Sequence, residues 1–469
     1  MTGVLLLGVF VTAAHAATIT VTNTNDSGPG SLRQALTIAN DGDTINFAVT
    51  GTITLTSGGL PINKNITISG PGPDQLSIDG NQALLAFGVF PGRAATISGL
   101  TVRNAQSGVL NDGTVTVSNC VLSNSYDGLS NYGVAAVSNC VLTGNLYDGL
   151  YSYEGVTTVS NCVVSGNAGG GLFNNGNFGP NNSVVGRGSM TISDSIISDN
   201  SGPGVWNYFF LTVLNSTLSG NSAGDGLDGG GIRSGTFKSP GGVTVINSTI
   251  SGNSASGGGG GIAIYYGGVT LVNSTISGNS AGDAGGGIGN YNGGVQVTNS
   301  TISGNSAGKI GGGIAGSGVQ LTNSTISGNS AGSAGGIYYV PGTQSEISNT
   351  IFNAGALGEN IVNNGATVTS HGYNISSDDG GGVLTGPGDQ INTDPLLGPL
   401  RDHGGPTLTH MPLRGSPAID AGDPEFTPPP DHDQRGSCFY RVFGSRIDVG
   451  SVETQLRPRC VTPAPRPTP

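Results

Sequence analysis

Apolar and polar residues alternate along this chain in very short runs, such as Val295-Gln296-Val297 and Thr301-Ile302-Ser303, and each run is cut off by Asn, Ser or Gly. Period-two alternation over such short runs predicts strands that bury one face and then turn. The runs also recur. The stretch Asn299-Ser300-Thr301-Ile302-Ser303-Gly304-Asn305-Ser306-Ala307 returns nearly verbatim from Asn215, Asn247, Asn273 and Asn323.

Aligning the residue after the leading Asn gives one column: Cys120, Cys140, Cys162, Ser195, Ser216, Ser248, Ser274, Ser300 and Ser324, closing at Asn349. Its successive spacings are 20, 22, 33, 21, 32, 26, 26, 24 and 25. A period of this length with two long exceptions marks a solenoid. Two positions on stand Leu122, Leu142, Val164, Ile197, Leu218, Ile250, Ile276, Ile302 and Ile326, apolar in every unit. With 85 glycines in 469 residues, a disordered linker is the competing reading. A linker has no reason to keep that register.

Each unit adds a glycine run ending in an apolar residue, as in Gly286-Gly287-Ile288, so three short strands per coil are expected. The leading Asn or Asp of each unit is expected to stack at about 4.8 Å as an inward, hydrogen-bonded ladder at a bend. Cys or Ser then fills the small slot beside it. The same assignment makes the five Asn-Ser-Thr triplets, formally glycosylation sequons, structural residues. The fold predicted is all-β, a right-handed parallel β-helix with an N-terminal helical cap and a small C-terminal β-rich domain.

The pairing of Gly-Gly-Ile (Gly286 to Ile288, Gly312 to Ile314, Gly335 to Ile337) with Ile-Ser-Gly-Asn (Ile276 to Asn279, Ile302 to Asn305, Ile326 to Asn329) resembles the repeats of polymorphic outer-membrane proteins and related bacterial surface proteins. Those repeats carry Phe where this chain has Ile, Leu or Val, and the autotransporter barrel of that family is missing. The stretch from Ser31 through Phe47, Leu55 and Gly72 resembles the start of secreted bacterial β-helix proteins grouped by a CSLREA motif, although the motif itself is absent. Near the other end, Asp394-Pro395-Leu396, Gly404-Gly405-Pro406, Gly415-Ser416-Pro417, Asp433-Gln434-Arg435-Gly436 and Ile447-Asp448-Val449-Gly450 look like a choice-of-anchor Q domain. That resemblance implies a bacterial surface protein whose coils this domain closes.

In order along the chain, residues 1–16 read as a signal peptide, with an apolar run from Val4 to Ala14 and the small-x-small pattern Ala14-His15-Ala16. Residues 17–95 read as the cap and first coils, with a short amphipathic helix begun by the Ser31/Gln34 capping spacing. Residues 96–355 are the repeats, 356–455 the C-terminal domain and 456–469 a Pro-rich tail. Two units are stretched, by Gly176 to Gly188 and by Asp225 to Gly242, and such insertions emerge as loops on the flank of a solenoid. No stretch is apolar enough for a transmembrane span, so a secreted or cell-surface monomer is expected.

Formal net charge is −12 with only 16 Lys plus Arg, which offers no basic stripe for phosphates and excludes nucleic acid as an expected partner. All five His, at 15, 371, 403, 410 and 432, lie outside the coils, so no Ser-His-Asp or Cys-His arrangement sits on the coil face. Cys120, Cys140 and Cys162 read as buried small residues, and Cys438 and Cys460 as a pair able to bridge. The acidic candidates are Asp127 and Asp148, 21 residues apart and so stacked in adjacent coils. They are turn Asp residues before Gly, or carboxylates whose mutual repulsion admits Ca²⁺; no other cofactor is expected. Asp225 and Asp228 with Arg233 form a second, weaker set.

Counting from the Gly of each Gly-apolar pair, the fourth residue onward is Tyr132, Tyr153, Asn175, Tyr208, Gly235, Tyr265 and Tyr291, and the second includes Tyr151, Phe173 and Trp206. Alternation places both columns outward, interrupted at Asn175 and Gly235 beside the inserted loops, where a gap could admit a chain. The candidate ligand residues are Tyr132, Tyr153, Trp206, Tyr208, Tyr265 and Tyr291, and the expected partner is extracellular polysaccharide or a cell surface; the alternative is that the rings merely stack on each other and shield the strand edges, which an unbroken column would favour. The function expected is that of a non-catalytic, adhesin-like β-helix protein. The alternative is a polysaccharide lyase or glycoside hydrolase of the pectate-lyase-like class.

Overall fold

Every coil turns on a residue with positive φ. In the computed structural model, which describes residues 16–82, 85–178, 184–186, 188–235, 241–341 and 344–455, Asn299 stands at φ 46°. Asn119, Asn139, Asn161, Asp194, Asn215, Asn247, Asn273, Asn323 and Asn349 stand at 47–52°. Asn and Asp enter the left-handed region more readily than other residues with a Cβ, which accounts for the column. The expected inward ladder is therefore misplaced, because this Asn is the corner itself. Its side chain turns outward and is exposed from Asn119 to Asn215. The sequon Asn residues are structural through their backbone angle; rung-to-rung bonds in this column occur in places, as from Asn247 Nδ2 to Asn215 Oδ1 at 3.3 Å and from Asn349 Nδ2 to Asn323 Oδ1 at 2.8 Å, and Asn299 and Asn323 are buried. The small-residue column also closes one residue later than expected, at Thr350, whose Oγ1 donates to the Ser348 carbonyl at 2.9 Å.

The buried amide ladder lies six residues further on, at Asn145, Asn167, Asn200, Asn221, Asn253, Asn279, Asn305 and Asn329, each 0–1% exposed. The Nδ2 of Asn279 donates to Asn305 Oδ1 at 2.9 Å and to the Ile250 carbonyl at 2.9 Å, and its backbone N–H also reaches Asn305 Oδ1, at 3.0 Å. Repeating this at each coil satisfies a buried amide that would otherwise cost several kcal/mol. Beside it runs a hydroxyl and thiol ladder. Ser216 Oγ donates to the Leu214 carbonyl at 2.6 Å and accepts the Ser195 N–H at 3.1 Å. Cys140 Sγ does the same work, donating to Ser138 O at 3.2 Å and accepting the Cys120 N–H at 3.4 Å. Cys in the first three of these units and Ser in the later ones can share this column because both supply one donor and one acceptor in a small volume. Cys120, Cys140 and Cys162 are free and buried, as expected. Cys438 is disulfide-bonded, and its expected partner Cys460 lies outside the described residues.

Coil on coil, the strands build three parallel sheets of 15, 13 and 14 strands. The first runs from Thr18–Val21 to Thr367–Gly372, the second from Leu60–Ile62 to Ile361–Asn363 and the third from Gly51–Thr54 to Ile375–Ser376. Register is kept residue for residue, so that Ile276, Ile302 and Ile326 align in the third sheet. Their side chains join one long core with Val295, Val297, Ile288 and Ile314. Backbone pairing thus extends beyond 96–355 at both ends, where the repeat is no longer legible in the side chains. From Ser222–Ala223 to Ser330–Ser333 a fourth, five-stranded ribbon is added at one corner, which the three-strand expectation omitted. Near the N-terminus, the helix α1 (Leu32–Ile38) buries Leu32, Ala35 and Leu36 in the same core, with Ser31 Oγ accepting the Gln34 N–H at 3.2 Å.

The C-terminal segment differs from the β-rich domain expected. Among the described residues past Ser376 there are isolated bridges and no strand. Pro at 395, 399, 406, 412, 417 and 424 removes backbone donors too often for a ladder. The segment lies instead along the outer face of the third sheet. Gln434 Nε2 donates to the Ser274 carbonyl at 3.2 Å and to Thr275 Oγ1 at 2.9 Å, and its Oε1 accepts Thr301 Oγ1 at 2.6 Å. Thr275, Thr301 and Thr325 are buried beneath it. His410 Nε2 also hydrogen-bonds Ser303 Oγ on this face at 2.8 Å, and His371 lies in the last strand of the first sheet, so the expectation that every His stands clear of the coils does not hold. Residues 1–15 and 456–469, holding most of the expected signal peptide and the Pro-rich tail, lie outside the described residues.

Candidate binding face

The outward face of the second sheet collects the residues singled out in the sequence. In each strand the apolar residue after Gly faces the core, as with Leu129, Leu150, Leu172, Val205, Ile232, Ile262 and Ile288, all 0–1% exposed. The next residue points out, giving the aligned column Ser130, Tyr151, Phe173, Trp206, Arg233, Ala263 and Gly289. Two positions later come Tyr132, Tyr153, Tyr208, Tyr265 and Tyr291. Tyr132 is 46% and Tyr291 39% exposed, and Tyr153, Trp206, Tyr208 and Tyr265 are half-buried.

The rings touch in sequence. Tyr132 lies 5.9 Å from Tyr153 and 6.3 Å from Tyr151, and Tyr151 lies 5.3 Å from Phe173. Phe173 stacks on Trp206 at 5.0 Å, and Tyr208 meets Phe173 at 5.6 Å and Trp206 at 6.0 Å. The Arg233 guanidinium then lies 4.5 Å from the Trp206 ring and 5.4 Å from that of Tyr265, which stacks on Tyr291 at 5.2 Å. The gap expected at Asn175 and Gly235 is closed, and the unbroken column is the one that mutual stacking of the rings favours. Phe173 and Trp206 carry the contact past Asn175, and Arg233 carries it past Gly235. The result is one unbroken band over seven strands, roughly 29 Å long at ~4.8 Å per step.

Asp228, from the second stretched unit, joins the band through its carboxylate, which accepts the Tyr265 hydroxyl and the Gly258 N–H. Burial and this carboxylate push the Tyr265 phenol up to about 12. Asp225 remains exposed. Of the weaker set, then, Asp228 and Arg233 meet at the band, each through Tyr265.

Asp127 and Asp148 come together as expected, but buried, at 9% and 5% exposure. Asp127 Oδ1 accepts the Asp148 N–H at 3.2 Å, and Oδ2 accepts Ser130 Oγ at 3.1 Å. Asp148 Oδ2 is buried without a hydrogen-bond partner. Burial, then the charge of Asp127, pushes Asp148 up to about 8. Ca²⁺ takes about six to eight oxygens, and the pair supplies too few. Among the described residues no three His, Cys, Asp or Glu side chains gather as a metal site. The arrangement suits a retained proton better than an ion.

Sequence reasoning passed over Tyr126 and Tyr147, which stack at 5.3 Å with planes 6° apart. The 21-residue offset that aligns Asp127 with Asp148 also aligns these rings, and would have found them. Burial and the charges of Asp148 and Asp127 raise the Tyr147 phenol.

Among solved structures, the chain is similar to the A-module of Azotobacter vinelandii mannuronan C-5 epimerase AlgE6, at 15% identity and a TM-score of 0.48, over 76% of this chain and 99% of that one. It is similar to pectate lyase Pel9A at 17% identity and a TM-score of 0.36, over 94% and 97% of the two chains. Bacteriophage CBA120 tailspike protein 3 matches at 11% identity and a TM-score of 0.40, over 76% and 56%. No curated protein matches the chain in sequence. The family described as "Right handed beta helix region" matches residues 86–236 and 230–394. Those residues hold most of the stacked coils, the amide ladder and the whole aromatic band, and with them the chain belongs to the right-handed β-helix family.

Proposed function

We propose that this is a secreted or cell-surface β-helix protein that binds polysaccharide along the aromatic face of its second sheet, without catalysing a reaction on it. The observation that carries the reading is the half-exposed band from Tyr132 to Tyr291, held on a rigid sheet with Arg233 at its middle. Rings that forgo burial on a polar surface suit the C–H faces of sugar rings, and a solenoid spaces them at fixed intervals. Export is in keeping with the absence, among the described residues, of any helix long and apolar enough to cross a membrane. The resemblance of the C-terminal segment to a choice-of-anchor Q domain supports a surface location.

One observation favours a polysaccharide lyase or glycoside hydrolase instead. A carboxyl held up to about 8, as Asp148 is, has the protonation a general acid needs near neutral pH. Its Oδ2 is buried, however, and donors or acceptors on a bound chain would have to reach it.

The test is retention of the wild type and of a Trp206→Ala/Tyr208→Ala variant on a panel of immobilised polysaccharides, with melting temperatures measured in parallel. Tyr132→Ala, at a more exposed ring, guards against loss of folding. Binding that weakens in both variants while melting holds for Tyr132→Ala supports the reading. If the wild type is retained by nothing, or the variants lose stability and keep their retention, the band is structural. Turnover of any panel member would move the protein to the enzyme class.

A further inference from the structure

Beside the band, at the corner where the third sheet gives way to the second, lies a recess of about 460 Å³. It exists because of coil length. Lower coils spend extra residues at this corner on the ribbon from Ser222–Ala223 to Ser330–Ser333. The upper coils, repeating every 20 to 22 residues, pass from Ser125 to Asp127, or from Asn145 to Asp148, in one or two residues. Among the described residues nothing fills the corner there. The recess is lined by Gln82, Asn104, Gln106, Asn124, Tyr126 and Leu146, and several of these corners are left-handed, with Gln82 at φ 61°, Asn104 at 52° and Asn124 at 51°.

We propose that this recess is a subsite for one neutral sugar unit, at the side of the aromatic band, an inference that rests on the polysaccharide-binding reading above. Its volume falls in the range of small-ligand sites, about 300–1,000 Å³. Four planar amides line it, and amides offer both donors and acceptors to a rim of hydroxyls. Tyr126, 50% exposed, and Leu146, 69% exposed, supply the apolar contact for a ring face. Tyr126 is braced in place by its stack on Tyr147.

The lining determines the class of sugar, for it contains no charge. Arg103, beside Asn104 in sequence, has its guanidinium on Asp79 at 3.2 Å, and Asn104 Nδ2 donates to the same carboxylate at 2.8 Å. Next to Tyr126 in the chain stands Asp127, whose charge would oppose a second carboxylate. Arg233 is the only Lys or Arg among the described residues from 104 to 308, and its faces are taken by Trp206 and Tyr265. A uronate carboxylate entering this corner would find no cation, and an unpaired charge is costly to desolvate. Neutral hexoses and pentoses carry no such cost.

Calorimetric titration of the full chain with neutral oligosaccharides (gluco-, manno-, galacto- and xylo-hexaoses) and with oligogalacturonate and oligomannuronate tests this. The expected result is saturable binding of at least one neutral oligosaccharide and of no uronate. Tyr126→Ala should weaken that binding about five- to tenfold, and Gln106→Ala should weaken it also, with melting unchanged because both side chains are exposed. Tighter binding of a uronate overturns the inference and leaves the polysaccharide-binding reading standing. The same holds if Trp206→Ala abolishes binding while Tyr126→Ala and Gln106→Ala do not alter it. Binding of none of these ligands overturns both.

Discussion

Replacing Asp148 by Asn should make the protein more stable at alkaline pH and change it little in acid. Asp148 is 5% exposed, faces no basic partner, and is raised from 3.8 to about 8, by burial first and by the charge of Asp127 second. A folded-state pKa above the unfolded one means that, between the two values, the folded protein holds a proton that the unfolded chain has lost. Stability therefore falls as pH rises from about 4 to about 8 and levels off above. At about 1.4 kcal/mol per pH unit the full span is worth roughly 5 kcal/mol, an upper value because the two carboxyls titrate as a pair. Asn carries no such penalty. The two proteins should unfold alike near pH 4.5, whereas near pH 8.5 the variant should be more stable by roughly 2–5 kcal/mol. Thermal and urea unfolding at both pH values, with and without Ca²⁺, is the assay. A difference independent of pH, or a variant less stable at high pH, refutes the reasoning, and stabilisation of the wild type alone by Ca²⁺ would mean an ion occupies the pair.

Other expectations follow from the ladders and the C-terminal segment. Asn279→Leu should cost about 2–4 kcal/mol, since it leaves Asn253 without its acceptor and deprives Asn305 of a donor; urea unfolding measures it. Cys140→Ser should cost under about 1 kcal/mol, because Ser already holds that slot in six other coils; a loss as large as that of the Asn279 variant would mean the column is read wrongly. Thiol titration should find Cys120, Cys140 and Cys162 unreactive until denaturation, since all three are buried out of reach of a reagent. Gln434→Ala removes the contacts that tie Ser274, Thr275 and Thr301 to the C-terminal segment. Limited proteolysis should then release that segment faster while the coils persist.

The coil was legible because stacking forces identical environments on residues one turn apart, so every constraint appears as a column. What the columns did not reveal was which way each residue points. Asn215 and Asn221 are the same residue in the same repeat, yet one is an exposed corner at φ 47° and the other a buried ladder member. The difference lies in the backbone angle, which composition does not display. The aromatic columns were legible through period-two alternation alone. Their continuity was not, because Arg233 crosses the break at Gly235 by the reach of its side chain, a matter of length and rotamer. The C-terminal segment was misjudged for the opposite reason. Its motifs are conspicuous, but Gln434 and Ser451 serve contacts with coils more than 120 residues away.

Trp206 is the only tryptophan in the chain and stands at the centre of the aromatic band. Its fluorescence therefore reports on the proposed site and on nothing else. Titration of the intact protein with a polysaccharide that retains it should shift or quench the Trp206 emission with a saturable dependence on concentration, at the same midpoint as calorimetry. Saturable binding by calorimetry with an unchanged Trp206 emission would place the ligand elsewhere and contradict the account.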